Sequence, residues 1–202
     1  MKEGNWETIS IERHFANAHL EVVTDKVRTP SRCEPSTWTI VHRKAAVIVA
    51  PMTRDGRIVL IRQERIPIRQ AIWEMPSGQI DNTVAGGVDP GRPAETMEQV
   101  AVRELREEAG YELAENGELI PLGHYFSSPG FTDERGYFFL ARPVRPCKEG
   151  PARDEGESIL DCCEFTVEEI RRMIAENQIR DANTLGICAA LAARGLLSLA
   201  PR

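Results

Sequence analysis

What this sequence lacks narrows the field before any motif does. None of its 202 residues form a run near the roughly 20 apolar residues that a membrane-spanning helix needs. The opening MKEGNWETIS has no apolar core and does not read as a signal peptide. Basic charge is not in excess: 25 Lys and Arg face 31 Asp and Glu, a formal net charge of -6, and no basic run interrupts that balance. A nucleic-acid binder's electrostatic footprint is therefore missing. The five cysteines, Cys33, Cys147, Cys162, Cys163 and Cys188, are odd in number and lack the paired spacing of a zinc site. They are expected to be buried, reduced thiols in a cytoplasmic protein. No internal repeat and no low-complexity tract is present.

What is there is a globular chain, 42% hydrophobic and 28% charged, long enough to bury a real core. An acidic chain can still act on phosphates where divalent cations mediate the contact. Residues 1–43 alternate loosely and predict a small β segment, too short and polar for a core of its own. Residues 44–202 carry the stronger signals and are expected to form the main domain. AAVIVAP and RIVLIRQ flank the turn TRDG and predict a hairpin, with AIWEMP as a further strand. Residues 79–94, rich in Gly, Pro and Asp, predict a long exposed loop. TMEQVAVRELREEAG predicts a helix, capped by Thr96 with Gln99 at its start and by Gly110 at its end. HYFSS, GYFFLARPV and SILDCCEFT read as strands, followed by helices from TVEEIRRMIAE and ANTLGICAALAAR. Strands and helices alternate without regular βαβ units, so the fold class is α+β, a mixed sheet between helices.

The central helix raises the chemical question. At about 100° per residue, Glu104, Glu107 and Glu108 share one arc. Ala101, Val102, Leu105 and Ala109 are expected on the adjoining core-facing arc, which puts the carboxylates at the edge of the buried face. Like charges at i,i+3 and i,i+4 oppose the helix unless compensated. Arg103 can offset Glu107, and the remaining two carboxylates suit Mg²⁺ or Mn²⁺, which take hard oxygen ligands. An ordinary solvated helix with one Arg–Glu pair would look the same by this arithmetic.

The spacing adds more. Glu95, Arg103, Glu104, Leu105, Glu107, Glu108 and Gly110 stand as in the Nudix box of pyrophosphohydrolases, a coincidence expected in about one in a hundred thousand chains. The chain resembles that family, with one departure. Asp89 stands where the box glycine is usual, and Gly78 of EMPSG takes that place if residues 79–94 hold an insertion of about eleven residues. RQERIPIRQAIWEMPSGQID, SSPGFTDERGYFFLA, DEGESIL and IRDANTL resemble, in order, segments of the ADP-ribose pyrophosphatase branch.

This resemblance implies a Nudix fold and Mg²⁺- or Mn²⁺-dependent cleavage of ADP-ribose to AMP and ribose 5-phosphate. Glu104, Glu107 and Glu108, with the Ser77 carbonyl, would hold metal, and Arg103 would orient Glu107. Glu155 would be the general base, with Glu157 its neighbour; a merely solvated acidic loop is the alternative. Arg65 would touch the diphosphate or terminal ribose, and Pro129 would mark nucleotide-sugar specificity. TWTIVHR resembles a stretch in which a tryptophan stacks adenine, implying Trp38 and Arg43 in the substrate site, with Trp6 a second stacking candidate. Trp38 could equally be a core or interface aromatic. The resemblance also implies a homodimer, with residues 1–43 reaching a partner's pocket. Another nucleoside diphosphate sugar such as GDP-mannose is the nearest alternative substrate. A catalytically silent nucleotide sensor is the alternative from another class.

Overall fold

The computed structural model describes residues 5–80, 83–84, 87–88, 95–152 and 158–199. The chain divides into two compact units. The first is built on an antiparallel sheet of β1 (Glu7–Ala16), β2 (Leu20–Arg28) and β3 (Ser36–Arg43), in that order across the sheet. It also takes in Phe126–Arg135, whose backbone docks on β3: the Val41 N–H donates to the Phe131 carbonyl at 2.8 Å, and Val41 bridges Thr132 in parallel. β1 forms the sheet's outer edge, and all ten of its residues are exposed.

The second unit holds the main sheet. β4 (Ala46–Thr53) and β5 (Ile58–Arg65) form the expected hairpin around Asp55-Gly56, where Gly56 adopts φ 81. β6 (Gln70–Glu74) pairs with β5, and β7 (Ser77–Gln79) pairs with β4. Residues 79–94 are not loop throughout, because β8 (Thr83–Val84) and β9 (Gly87–Val88), which belong to the first unit, pair as a two-stranded ribbon. After α1 (Met97–Glu107) come β10 (Tyr111–Phe126), β11 (Arg135–Pro146) and β12 (Ile159–Phe165), then α2 (Val167–Ala175) and α3 (Ala182–Ala193). The order β10-β11-β4-β5-β12, with β4 parallel to β11 and antiparallel to β5, is the mixed sheet expected. β10 begins well before HYFSS. Its polar opening YELAENGEL breaks the apolar alternation that announces a strand, yet its neighbour β11 supplies the backbone partners.

Strand alternation shows why helices cover both faces. Ile48 and Ala50 of β4, Ile58 and Leu60 of β5, and Phe138 and Leu140 of β11 form one cluster with Ile170 of α2 and Ile187 and Leu191 of α3. The intervening residues Val47, Val49, Val59 and Ile61 are just as buried and point the other way. α1 packs on β4 and β7, and its buried Val100, Ala101 and Leu105 stand outside the first cluster. The caps are those the sequence announces: Thr96 and Gln99, and Thr166 and Glu169, each form a reciprocal capping box.

Two expectations need correction. Val102 is 43% exposed and Val100 is buried instead, so the buried arc of α1 runs through Val100, Ala101, Glu104, Leu105, Glu108 and Ala109. Glu108 therefore lies near the middle of that face and Glu104 within it, with only Glu107 at the edge. The cysteines are not uniformly buried either: Cys147 and Cys188 are, but Cys33, in the turn between β2 and β3, and Cys163, on edge strand β12, are exposed.

Candidate active site

The acidic face of α1 meets β7. Glu104 is 4% exposed and Glu108 1%, so two carboxylates occupy positions that a helix normally gives to aliphatic side chains. Space for Glu104 comes from Gly78: a Cβ there would overlap the Glu104 carboxylate and approach its Cγ to 2.7 Å. Gly78 thus serves by leaving room for Glu104, not by an unusual backbone conformation. Glu108 Oε2 accepts the Ser77 N–H at 2.7 Å. Ser77, whose carbonyl is the implied metal ligand, is thus tied to the helix through its amide.

Arg103 gathers the remaining acids. Its guanidinium lies 2.7 Å from Glu104 Oε1, 2.8 Å from Glu107 Oε2 and 3.3 Å from Glu95 Oε1. Burial works to lower its pKa. The Glu107 hydrogen bond and the charges of Glu104, Glu95 and Glu107 outweigh that and raise it. Gly110 ends the segment at φ 71, and a Cβ there would also meet the Pro151 nitrogen at 2.8 Å. Both facts restrict the position to glycine.

Arg65 does not stand free. Its Nε and Nη2 bind the Glu74 carboxylate in a fork of 2.7–3.1 Å, and Glu74 is 2% exposed. Burial pushes the Glu74 carboxyl above its ordinary range in spite of Arg65. Burial also pulls the Arg65 pKa down, but Glu74, then the charges of Glu108 and Asp181, more than reverse it. Arg65 also lines a cleft of about 350 Å³, together with Glu64, Ile66, Arg69, Gln70 and Ala71.

Glu74 and Asp181 lay within the motifs quoted above, but sequence reasoning gave neither a role. Asp181 caps α3, its Oδ2 accepting from the Thr184 N–H at 2.7 Å and hydroxyl at 2.8 Å. Thr184 Oγ1 in turn accepts the Met75 N–H at 2.8 Å. The Asp-Ala-x-Thr signature is thus a cap that pins the segment leading into Ser77. The signal was the Asp–Thr spacing itself, a helix N-cap pattern.

The other implied residues fall in the first unit or outside the described residues. Trp38 is 57% exposed, and its Nε1 donates to the Gly130 carbonyl at 2.7 Å. Arg43 pairs with Glu134 at 3.0 Å, beside a His42–Asp133 contact of 2.7 Å. Pro129 stands exposed in the same turn, and Trp6 is exposed ahead of β1. Glu155 and Glu157 lie outside the described residues.

Six carboxylates (Glu74, Glu95, Glu104, Glu107, Glu108 and Asp181) thus act on two guanidiniums, Arg65 and Arg103. Among the described residues no three His, Cys, Asp or Glu converge as a finished ligand set. The donor set nonetheless fits a hard divalent cation: buried carboxylate oxygens in excess of nearby positive charge.

The comparisons with known proteins agree with this geometry. Residues 41–185 match the NUDIX domain. The chain belongs to the Nudix family. As a Nudix hydrolase it is an enzyme of a family that works with divalent metal ions on nucleoside diphosphate compounds. It is 30% identical to an ADP-ribose pyrophosphatase of Bacillus subtilis (strain 168) over 91% of both chains. It is 31% identical to a methanol dehydrogenase activator of Bacillus methanolicus over 89% of this chain and 88% of that one. A GDP-mannose pyrophosphatase of Klebsiella pneumoniae is 32% identical over 70% of this chain and 67% of its own. A solved structure described as an ADP compounds hydrolase superposes with a TM-score of 0.74, covering 98% of this chain and all of that one, at 17% identity. That likeness shows the Nudix fold. Among the described residues, no helix is long and apolar enough to cross a membrane.

Proposed function

We propose that this Nudix enzyme hydrolyses the diphosphate of ADP-ribose, with Mg²⁺ or Mn²⁺, to AMP and ribose 5-phosphate. The observation that carries the reading is the pair of buried carboxylates, Glu104 and Glu108, set against the β7 backbone. Glu104 shares the Arg103 guanidinium with Glu95 and Glu107, so these carboxylates outnumber the cation beside them, and hard oxygen donors in such excess suit a divalent metal ion. Glu104 and Glu108, with Glu107 directly or through water, would hold the metal. When bound, the metal neutralises the diphosphate oxygens and lowers the pKa of attacking water. Arg103 keeps Glu107 in place, and Arg65, braced by Glu74, offers Nη1 to the substrate's phosphates or terminal ribose. Glu155 is the general base of this reading, with Glu157 beside it.

Substrate preference rests on similarity to the Bacillus subtilis pyrophosphatase over nearly the whole chain. The GDP-mannose pyrophosphatase match, though shorter, makes GDP-mannose the substrate to test against. A panel of nucleoside diphosphate sugars, with and without Mg²⁺, decides between them. Metal-dependent cleavage fastest on ADP-ribose supports the reading, and faster cleavage of GDP-mannose overturns its substrate. Cleavage of neither would favour the silent sensor.

The protein works as a homodimer in this proposal. The support is the exposed edge strand β1, which carries Ile9, Ile11 and Phe15 beyond the exposed Trp6. Deleting residues 1–43 should abolish dimerisation and raise KM for ADP-ribose. A truncated protein that stays dimeric with unchanged KM refutes the arrangement.

A further inference from the structure

The chain from β6 into β7 is held by a different element at each of three successive residues. Thr184 Oγ1 of α3 accepts the Met75 N–H at 2.8 Å, and the Val49 N–H of β4 donates to the Pro76 carbonyl at 2.9 Å. Glu108 Oε2, at the end of α1, accepts the Ser77 N–H at 2.7 Å. Glu108 belongs to the proposed metal site; Thr184 does not, yet it is wholly buried and its hydroxyl is committed. The hydroxyl donates to Asp181 Oδ2 at 2.8 Å, which leaves the oxygen's lone pairs for Met75. The start of α3 is fixed in turn to the strands around it. The Tyr125 hydroxyl of β10 donates to Asn183 Oδ1, and Arg180 Nη2 donates to Gln70 Oε1 of β6 at 2.8 Å.

A relay of hydrogen bonds therefore runs from Asp181 through Thr184 to Met75 and ends two residues before Ser77, whose carbonyl is the implied metal ligand. A backbone carbonyl, unlike a carboxylate, has no rotamer to adjust, so its position is that of the chain. Pro76, with its ring-fixed φ, leaves little slack between Met75 and Ser77. We propose that Thr184 is a positioning residue for the metal site, holding the Met75–Ser77 backbone so that the Ser77 carbonyl and the carboxylates of Glu104 and Glu108 serve one cation. Without the hydroxyl the buried Met75 N–H is left unsatisfied, and the chain moves to find it another acceptor. The inference rests on the metal-binding part of the function proposed above, and not on the substrate or on hydrolysis.

The test is calorimetric titration of the full chain with Mn²⁺, without nucleotide, at a temperature where circular dichroism shows each variant folded. Asp181 also acts on Arg65 and Glu74, so the substitutions are made at Thr184, where every charge stays in place. Thr184→Val keeps the side chain's size and should weaken Mn²⁺ binding roughly 10–100-fold. Thr184→Ser restores the hydroxyl and should bind Mn²⁺ as the wild type does. Thr184→Ala, which also lacks the hydroxyl and cannot overpack, should reproduce the loss and replaces Thr184→Val if that variant does not fold. Cys188→Ala loosens the buried face of α3 one turn further on and should keep wild-type affinity, which a generally weakened α3 would not. Wild-type affinity in folded Thr184→Val or Thr184→Ala, or an equal loss in Cys188→Ala, overturns the proposal. Wild-type protein that takes up no Mn²⁺ overturns the metal site itself, and this role with it.

Discussion

Gly78→Ala is the sharpest perturbation available, because a single methyl group meets a single side chain. Its Cβ would overlap the Glu104 carboxylate and crowd the Glu104 Cγ at 2.7 Å. Glu104 is buried and tied to Arg103 at 2.7 Å, so it cannot swing into solvent without breaking that ion pair. Overpacking of this kind costs about 2–3 kcal/mol. For a chain of this length that lowers the melting temperature by roughly 5–10 °C. The assay is a double-mutant cycle by chemical denaturation. With Glu104→Ala already in place the clash partner is gone, and adding Gly78→Ala should cost about 1 kcal/mol or less, a coupling near 2 kcal/mol. Fully additive losses would refute the account of Gly78 as the space that admits Glu104.

Arg103→Ala strips Glu95, Glu104 and Glu107 of their shared partner and should destabilise the protein by about 3 kcal/mol; saturating Mg²⁺ should restore part of that loss in thermal melts. In native thiol labelling, Cys33 and Cys163 should react, while Cys147 and Cys188 react only on unfolding; burial pushes the Cys188 thiol up to about 11. The Glu169 pKa is lowered first by the Thr166 backbone N–H and then by its hydroxyl. Its contribution to the α2 cap is therefore present above the ordinary glutamate value of about 4.3 and lost as pH falls through the depressed one. Melting curves of Glu169→Gln across pH 2–6 should show a shallower acid-side decline than wild type, and parallel curves would contradict the cap.

Much of this site was legible in the sequence because spacing on a helix is geometry. Glu104, Glu107, Glu108 and Arg103 stand within two turns, and both capping boxes announce their helices by a Thr and a Gln or Glu three residues on. The wheel erred where burial depends on a partner. Val102 is as apolar as Val100, and only the sheet beneath α1 decides which of them is covered. The buried positions of Glu104 and Glu108 break the rule that acids face water, so the pattern placed them at an edge. Long-range polar contacts were invisible for a related reason. Glu74 meets Arg65 through the β5–β6 pairing, and Thr184 meets Met75 across 109 positions of chain. The opening of β10 escaped because backbone pairing, not side-chain alternation, makes it a strand.

The central claim is that buried Glu108 helps hold a divalent cation that this Nudix enzyme uses to cleave ADP-ribose. The most direct measurement is AMP formation from ADP-ribose at saturating Mg²⁺ by the wild type and by Glu108→Gln, with folding of both followed by circular dichroism. Glutamine can still accept the Ser77 N–H that Glu108 accepts at 2.7 Å, so the fold should persist while the charge is lost. The account predicts Mg²⁺-dependent AMP formation by the wild type and a drop of at least about 100-fold in kcat/KM for the variant, equivalent to about 2.7 kcal/mol of transition-state stabilisation. Undiminished AMP formation by folded Glu108→Gln would contradict it.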